Sequence, residues 1–192
     1  MITCYFGTMA AGKSTKLLQD RFNYVQKNVD VWVIKPKIDR TSEPIVKSRI
    51  GIQCEATVMD KIRWKEIIRM REFYHDVYMI DEIQFFKPKD IDSLIVLSDK
   101  YSRDIRTYGL LTDVNEKLFP ASKKLIEAGC RIVYLECPCQ MIGCKNIATH
   151  HLRYDPRGFV IRDGKSVDVD DGHVIYKSVC RQCYDREMQK KR

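Results

Sequence analysis

Two spacings of apolar residues divide the first two-thirds of the chain. Short, nearly uninterrupted apolar runs at residues 2–6, 30–35 (closed by Pro36), 77–80 and 131–135 have the length and β-branched or aromatic character of buried strands. A further strand is expected over 106–111. Between these runs the apolar positions recur every three or four residues. Leu18, Phe22 and Val25 form one face of a helix that begins at Lys13. Trp64, Ile67 and Ile68 mark a helix within 61–73, and Ile91, Leu94 and Leu97 mark another. Residues 121–128 give a fourth. Strands that alternate with helices imply an α/β fold, a mostly parallel sheet with helices on both faces and right-handed crossovers.

The pattern changes near residue 137. From there to Tyr184 the chain is rich in Cys, Gly, Asp and basic residues, and its β-like runs are short, such as that at 159–161. Such a stretch buries little on its own and needs a staple. The expected division is therefore a core over 1–136 and a small module over 137–192.

Composition adds little beyond this. The 192 residues are 44% hydrophobic and 31% charged, as in an ordinary globular protein. No apolar run approaches the roughly 18 residues of a membrane span. The N-terminus enters the first strand without a basic leader, which points to a cytoplasmic protein with reduced or metal-bound cysteines. The net charge of +8 includes the C-terminal Lys190-Lys191-Arg192 and suits either nucleic acid or nucleotide polyphosphates.

Chemistry enters with Gly7-Thr8-Met9-Ala10-Ala11-Gly12-Lys13-Ser14, a full match to the phosphate-binding loop G-x-x-x-x-G-K-[ST]. It stands between the first strand and the first helix, where backbone N–H groups and the helix end together hold an anion. There Lys13 reaches the β and γ phosphates and the Ser14 hydroxyl can ligate magnesium. The second signal is Asp81-Glu82 at the end of the run 77–80, the place where such an enzyme holds magnesium. Asp81 is the magnesium candidate, and Glu82, turned the other way, is free for proton transfer. Taken alone, the pair would read first as a cap on the next helix, and its pairing with the phosphate loop favours the functional reading.

Cys180-x-x-Cys183 has metal-ligand spacing, and Cys139-x4-Cys144 can supply the second pair for a tetrahedral zinc. Cys137 is an alternative for either member of that second pair. His150 and His151 are possible ligands for which two cysteine pairs leave no vacancy. Cys4, Cys54 and Cys130 are expected to pack as small apolar residues.

Taken together, the phosphate loop with its Gly7-x-Met9, the Asp81-Glu82-x-Gln84-Phe85-Phe86 motif and the cysteine module resemble the cellular-type (type II) thymidine kinases. Lys35-Pro36-x-Ile38-Asp39, Ser48-Arg49-Ile50-Gly51, Tyr108-Gly109-Leu110 with Thr112-Asp113, Leu118-Phe119 and Val179-Cys180-Arg181-x-x-Tyr184 extend the resemblance over nearly the whole chain. The matches at 48–51 and 108–113 look most like the bacterial and bacteriophage branch.

The resemblance implies transfer of the γ-phosphoryl group of ATP to the 5′-hydroxyl of thymidine in deoxynucleotide salvage. It makes Glu82 the general base, Ser14 and Asp81 the magnesium ligands, and the loop residues 7–14 with Gln84 the nucleotide site. The nucleoside site would include Met9, Phe85, Leu110, Phe119 and Tyr176, although Leu110 and Phe119 read equally as core. Val167, Asp171 and Gly172 would belong to a lasso whose backbone reads the pyrimidine. The family also implies structural zinc and a homotetramer, with no nucleic-acid or membrane partner. Two departures stand out. Val114 replaces a usual phenylalanine, and Asp39-Arg40-Thr41 replaces the usual Asp-Thr-Arg, leaving Arg40 and Arg49 as alternatives near the phosphates. Two other classes fit parts of the sequence, a phosphate-loop switch ATPase and a zinc-ribbon nucleic-acid binder. The first leaves Glu82 and the lasso unexplained, the second leaves the phosphate loop without a role.

Overall fold

The computed structural model describes residues 1–38, 43–162 and 174–190. The elements run β1 (Ile2–Gly7), α1 (Lys13–Val25), β2 (Val31–Pro36), β3 (Ile45–Lys47), β4 (Gln53–Glu55), β5 (Thr57–Met59), α2 (Trp64–Ile67) and β6 (Val77–Ile80). They continue with α3 (Pro88–Tyr101), β7 (Asp104–Gly109), α4 (Pro120–Glu127), β8 (Arg131–Leu135), β9 (His150–Tyr154), β10 (Ile175–Val179) and α5 (Arg181–Gln189).

Six strands form one sheet in the order β5-β2-β6-β7-β1-β8, with every neighbouring pair parallel. Side chains alternate across it and feed two cores. Cys4 and Phe6 of β1, Trp32 and Ile34 of β2, and Tyr78 and Ile80 of β6 join a cluster with Ile91, Leu94 and Leu97 of α3 and Leu125 of α4. Tyr5, Val33 and Met79 point the other way, into a cluster with Leu17 and Leu18 of α1. Because both faces are covered, the central strands are apolar on both sides and show no alternation in sequence.

Several boundaries differ from the sequence expectation, each for a physical reason. On α1, Leu18 is buried, but Phe22 and Val25 are 60% and 44% exposed. The inward stripe instead runs through Lys13, Leu17, Leu18 and Asp20. The loop preceding α1 fixes its rotation by turning Lys13 inward, and Asp20 accepts a 2.8 Å hydrogen bond from the Tyr108 hydroxyl. The expected helix over 61–73 is only α2 and a separate 3-10 turn, Arg71–Tyr74, because Met70 between them is extended. β7 begins and ends two residues earlier than expected. Its end is set by Leu110, whose N–H turns to the Gln84 side chain (3.0 Å).

The short hairpin β3–β4 and strand β5 carry too few apolar positions to signal themselves. The run at 159–161 makes only an isolated bridge, Tyr154 to Val160, while the real ribbon is the antiparallel pair β9–β10. That ribbon packs with α5 in a third cluster containing Cys139, Leu152, Tyr154, Val160, Val179, Cys180, Cys183 and Tyr184. Of the three cysteines expected as packing residues, Cys4 is buried in β1, with its thiol 2.8 Å from that of Cys130. Cys54 packs on the second cluster. No helix among the described residues is long and apolar enough to cross a membrane.

Candidate active site

β1 ends at Gly7 under a steric constraint. A Cβ there would lie 2.6 Å from the Leu135 carbonyl oxygen and 2.7 Å from the Ala11 Cβ. The chain then turns through Ala11 N–H to the Thr8 carbonyl (3.0 Å) and enters α1 through Gly12, whose φ of 71° is the left-handed conformation glycine adopts freely. Among the described residues no side chain caps this helix start. Its first N–H groups lack intrahelical partners and carry the positive end of the helix dipole, the arrangement that receives phosphate. Lys13 is buried and donates to the Thr8 carbonyl at 2.8 Å. Burial, first of all, pushes its ammonium below the usual lysine range. The charge of Arg49 acts in the same direction, while Glu82 and Asp81 oppose it, so Arg49 lies within electrostatic reach of the loop. Arg40 falls outside the described residues.

The acid pair follows β6. Asp81 is buried, and its Oδ2 accepts from the Ser14 hydroxyl at 3.3 Å. Its Oδ1 is buried with no hydrogen bond among the described residues. Burial, reinforced by the adjacent Glu82, raises the Asp81 carboxyl to about 7. An orphaned carboxylate oxygen beside a serine hydroxyl suits a divalent cation, which would supply the missing charge.

Glu82 sits at φ 48°, ψ 44°, a conformation unusual for a residue other than glycine. It swings the chain off the strand into the 3-10 turn Ile83–Phe85. The Gln84 amide nitrogen donates to the Glu82 carboxylate, and its oxygen accepts the Leu110 N–H. Gln84, expected at the nucleotide, is thus buried between Glu82 and Leu110. Gly109 allows this, since a Cβ there would collide with the Gln84 oxygen and lie 2.7 Å from Ile83 Cγ2.

The expected nucleoside residues lie around this group in part. The rings of Phe85 and Phe119 meet edge to face, with centroids 6.4 Å apart. Leu110 is tied to Gln84 through its N–H and to the Ser122 hydroxyl through its carbonyl. Tyr176 shares a face of β10 with Ser178, and Ser178 Oγ accepts the Ala10 N–H at 3.4 Å. The Val114 carbonyl accepts from the Tyr184 hydroxyl at 3.2 Å. Val167, Asp171 and Gly172 lie outside the described residues.

Sequence reasoning missed one group altogether. His151, considered there only as a metal ligand, is buried and accepts the Met9 N–H at Nε2 (3.0 Å). Nothing in the local sequence signalled it, since His151 to Tyr154 of β9 are all buried and their residue types do not alternate between apolar and polar.

The sulfurs of Cys139, Cys144, Cys180 and Cys183 all lie within 4.8 Å of one another. Cys144 and Cys180 are 3.8 Å apart, close to the spacing that four thiolates take around zinc at about 2.3 Å each. The Cys183 backbone N–H, at the start of α5, is the main influence that brings the Cys180 thiol down to about 6. Cys137 stands apart, 3.1 Å from the Thr8 hydroxyl. Neither histidine belongs to the four-sulfur group.

Residues 1–184 match the family described as Thymidine kinase. The thymidine kinase of Enterobacteria phage T4 is 35% identical over 190 residues, covering 97% of this chain and 95% of its own length. That of Shewanella oneidensis is 33% identical over 184 residues, 93% of each chain. The Vibrio vulnificus thymidine kinase is 34% identical over 190 residues, 97% of each.

Proposed function

The chain belongs to the thymidine kinase family, and we propose that it transfers the γ-phosphoryl group of ATP to the 5′-hydroxyl of thymidine, giving dTMP and ADP. The observation that carries this reading is the meeting of Ser14 and Asp81 at 3.3 Å, with Glu82 next in the chain and held by Gln84. Phosphate-loop helix, metal-seeking carboxylate and proton acceptor thereby converge from α1 and the end of β6.

In this reaction the 5′-oxygen forms a bond to the γ-phosphorus while the bridging oxygen to the β-phosphorus leaves with ADP. Glu82 takes the 5′-hydroxyl proton, and the Gln84 amide donates to its carboxylate and keeps it oriented. Lys13 exchanges its bond to the Thr8 carbonyl for the β and γ phosphates. Ser14 and Asp81 would hold magnesium, which supplies charge neutralisation for the transferring group. Most of the acceleration comes from alignment and electrostatics, since phosphoryl transfer asks little covalent help of a protein. Cys139, Cys144, Cys180 and Cys183 would hold structural zinc, which suits the reducing cytoplasm. A homotetramer, as in the family, is the assembly proposed for this chain.

Incubation with ATP, magnesium and a panel of deoxynucleosides tests the assignment. Thymidine and deoxyuridine are expected to be phosphorylated. Deoxycytidine presents an altered donor and acceptor edge, costing roughly 1–3 kcal/mol for each buried group left unpaired, and is expected to be slower by several tens of times or more. ATP hydrolysis without a phosphorylated nucleoside would replace the kinase reading by that of a switch ATPase.

A further inference from the structure

Three consecutive residues of the phosphate loop are fastened to the cysteine-rich segment. The Thr8 hydroxyl meets Cys137 Sγ at 3.1 Å, the Met9 N–H donates to His151 Nε2 at 3.0 Å, and the Ala10 N–H donates to Ser178 Oγ at 3.4 Å. His151 and Ser178 are direct partners in the β9–β10 ladder, so their side chains leave the ribbon on the same face. Both are almost fully buried. The opposite end of this arrangement is the four-thiol group, because Val179 of β10 runs directly into Cys180 and shares a core with Cys139 and Cys183.

An imidazole accepts a hydrogen bond at Nε2 only when it is neutral, with its proton on Nδ1. Burial, followed by the charges of Lys13 and His150, holds His151 down at about 4, so the acceptor form persists beside a buried lysine. The loop is then divided in its work. Thr8 is held by Cys137, and Met9 and Ala10 by the ribbon, whereas the uncapped N–H groups at the start of α1 stay directed at the anion.

We propose that His151, seconded by Ser178, is a positioning residue of the phosphate loop, and that it makes the loop's geometry depend on the folded cysteine-rich segment. The proposal rests on the reading of residues 7–14 as the ATP site. It gives the metal module a task in ATP use as well as in holding the nucleoside. A loop whose Met9 half is loose must be ordered at the moment of binding, and that cost appears in affinity.

The test compares His151→Leu, which fills the space without an acceptor, with His151→Gln, which returns an acceptor near the position of Nε2. For His151→Leu, the KM for ATP is expected to rise roughly three- to ten-fold, the value of one hydrogen bond, with kcat changed less. His151→Gln is expected to recover most of that loss. An unchanged KM in His151→Leu would overturn the proposal, as would equal impairment of the two variants. Amide hydrogen exchange on the unaltered protein gives a second reading that needs no variant to fold and no nucleoside to react. Met9 and Ala10 should exchange far more slowly than open-loop amides, and rapid exchange at both overturns the clamp. Absence of thymidine phosphorylation together with protected Met9 and Ala10 amides would defeat the kinase assignment and leave the clamp standing.

Discussion

Asp81 and Glu82 are neighbours in sequence with opposite surroundings, and their difference predicts two different mutational outcomes. Glu82→Gln keeps the shape and the partner amide of Gln84 but removes the proposed proton acceptor. Turnover is expected to fall roughly 10²–10⁴-fold with thymidine affinity little changed, and equilibrium binding beside steady-state rates will check it. Asp81, the proposed magnesium ligand, bears on stability instead. Its carboxyl is raised to about 7, above the ordinary 3.8, chiefly by burial. The folded chain therefore holds a proton that the unfolded chain has released between pH 3.8 and 7. The stability due to this proton is complete below the lower value and lost as pH rises through the upper one. Asp81→Asn removes the buried charge, so the ligand-free protein should gain at pH 8, by about 2–8 °C in Tm for ~1–2 kcal/mol. The gain should shrink towards pH 5, and magnesium-dependent activity should be lost at both. A variant that melts lower at pH 8 would show that the ionised carboxylate is already well paired without a ligand.

Among the elements, the turn after β6 and the end of β7 are a single fitted unit. Gln84 reaches Glu82 on one side and Leu110 on the other only because Gly109 has no side chain. Gly109→Ala should displace the turn Ile83–Phe85 and, with it, Glu82. Activity is expected to fall at least ten-fold, with a stability loss of about 1–3 kcal/mol from overpacking, measured by denaturant unfolding. This fit also shows what the sequence could express. β1, β2 and β6 are apolar runs because the sheet is covered on both sides, and they are legible as such, whereas β8 is a legible apolar run at the sheet edge with Ile132 and Tyr134 exposed. The end of β7 was not, since it depends on a side-chain amide contributed by residue 84. The rotation of α1 was hidden for the same reason. Leu18, Phe22 and Val25 make a plausible apolar face, but the contacts of Lys13 and Asp20 choose another. Local periodicity finds an element, while contacts from elsewhere set its ends and its phase.

For the molecule as a whole, the motifs carried the chemistry, but the link between its two halves had to be seen in space. The phosphate loop, Asp81-Glu82 and the cysteine pairs are each local patterns with a mechanism. The bond from Met9 to His151 spans 142 positions, and no spacing rule anticipates it. The same distance effect separates the cysteines by role. Cys137 and Cys139 are nearly adjacent, yet Cys139 joins the four-thiol group and Cys137 meets the Thr8 hydroxyl. Metal analysis should thus find about one zinc per chain, retained in Cys137→Ser and lost in Cys183→Ser. A serine at 137 can keep the hydroxyl contact to Thr8, so that variant should also retain its thermal stability. Cys183→Ser removes one thiol from a cluster much smaller than either core of the sheet, and it should unfold the cysteine-rich segment at a lower temperature than the six-stranded core. Limited proteolysis separates the two events, with early cleavage beyond residue 136 and survival of the core. Zinc lost from Cys137→Ser but kept in Cys139→Ser would reverse the ligand choice, and simultaneous melting of both parts would show that the ribbon and the sheet stand or fall together.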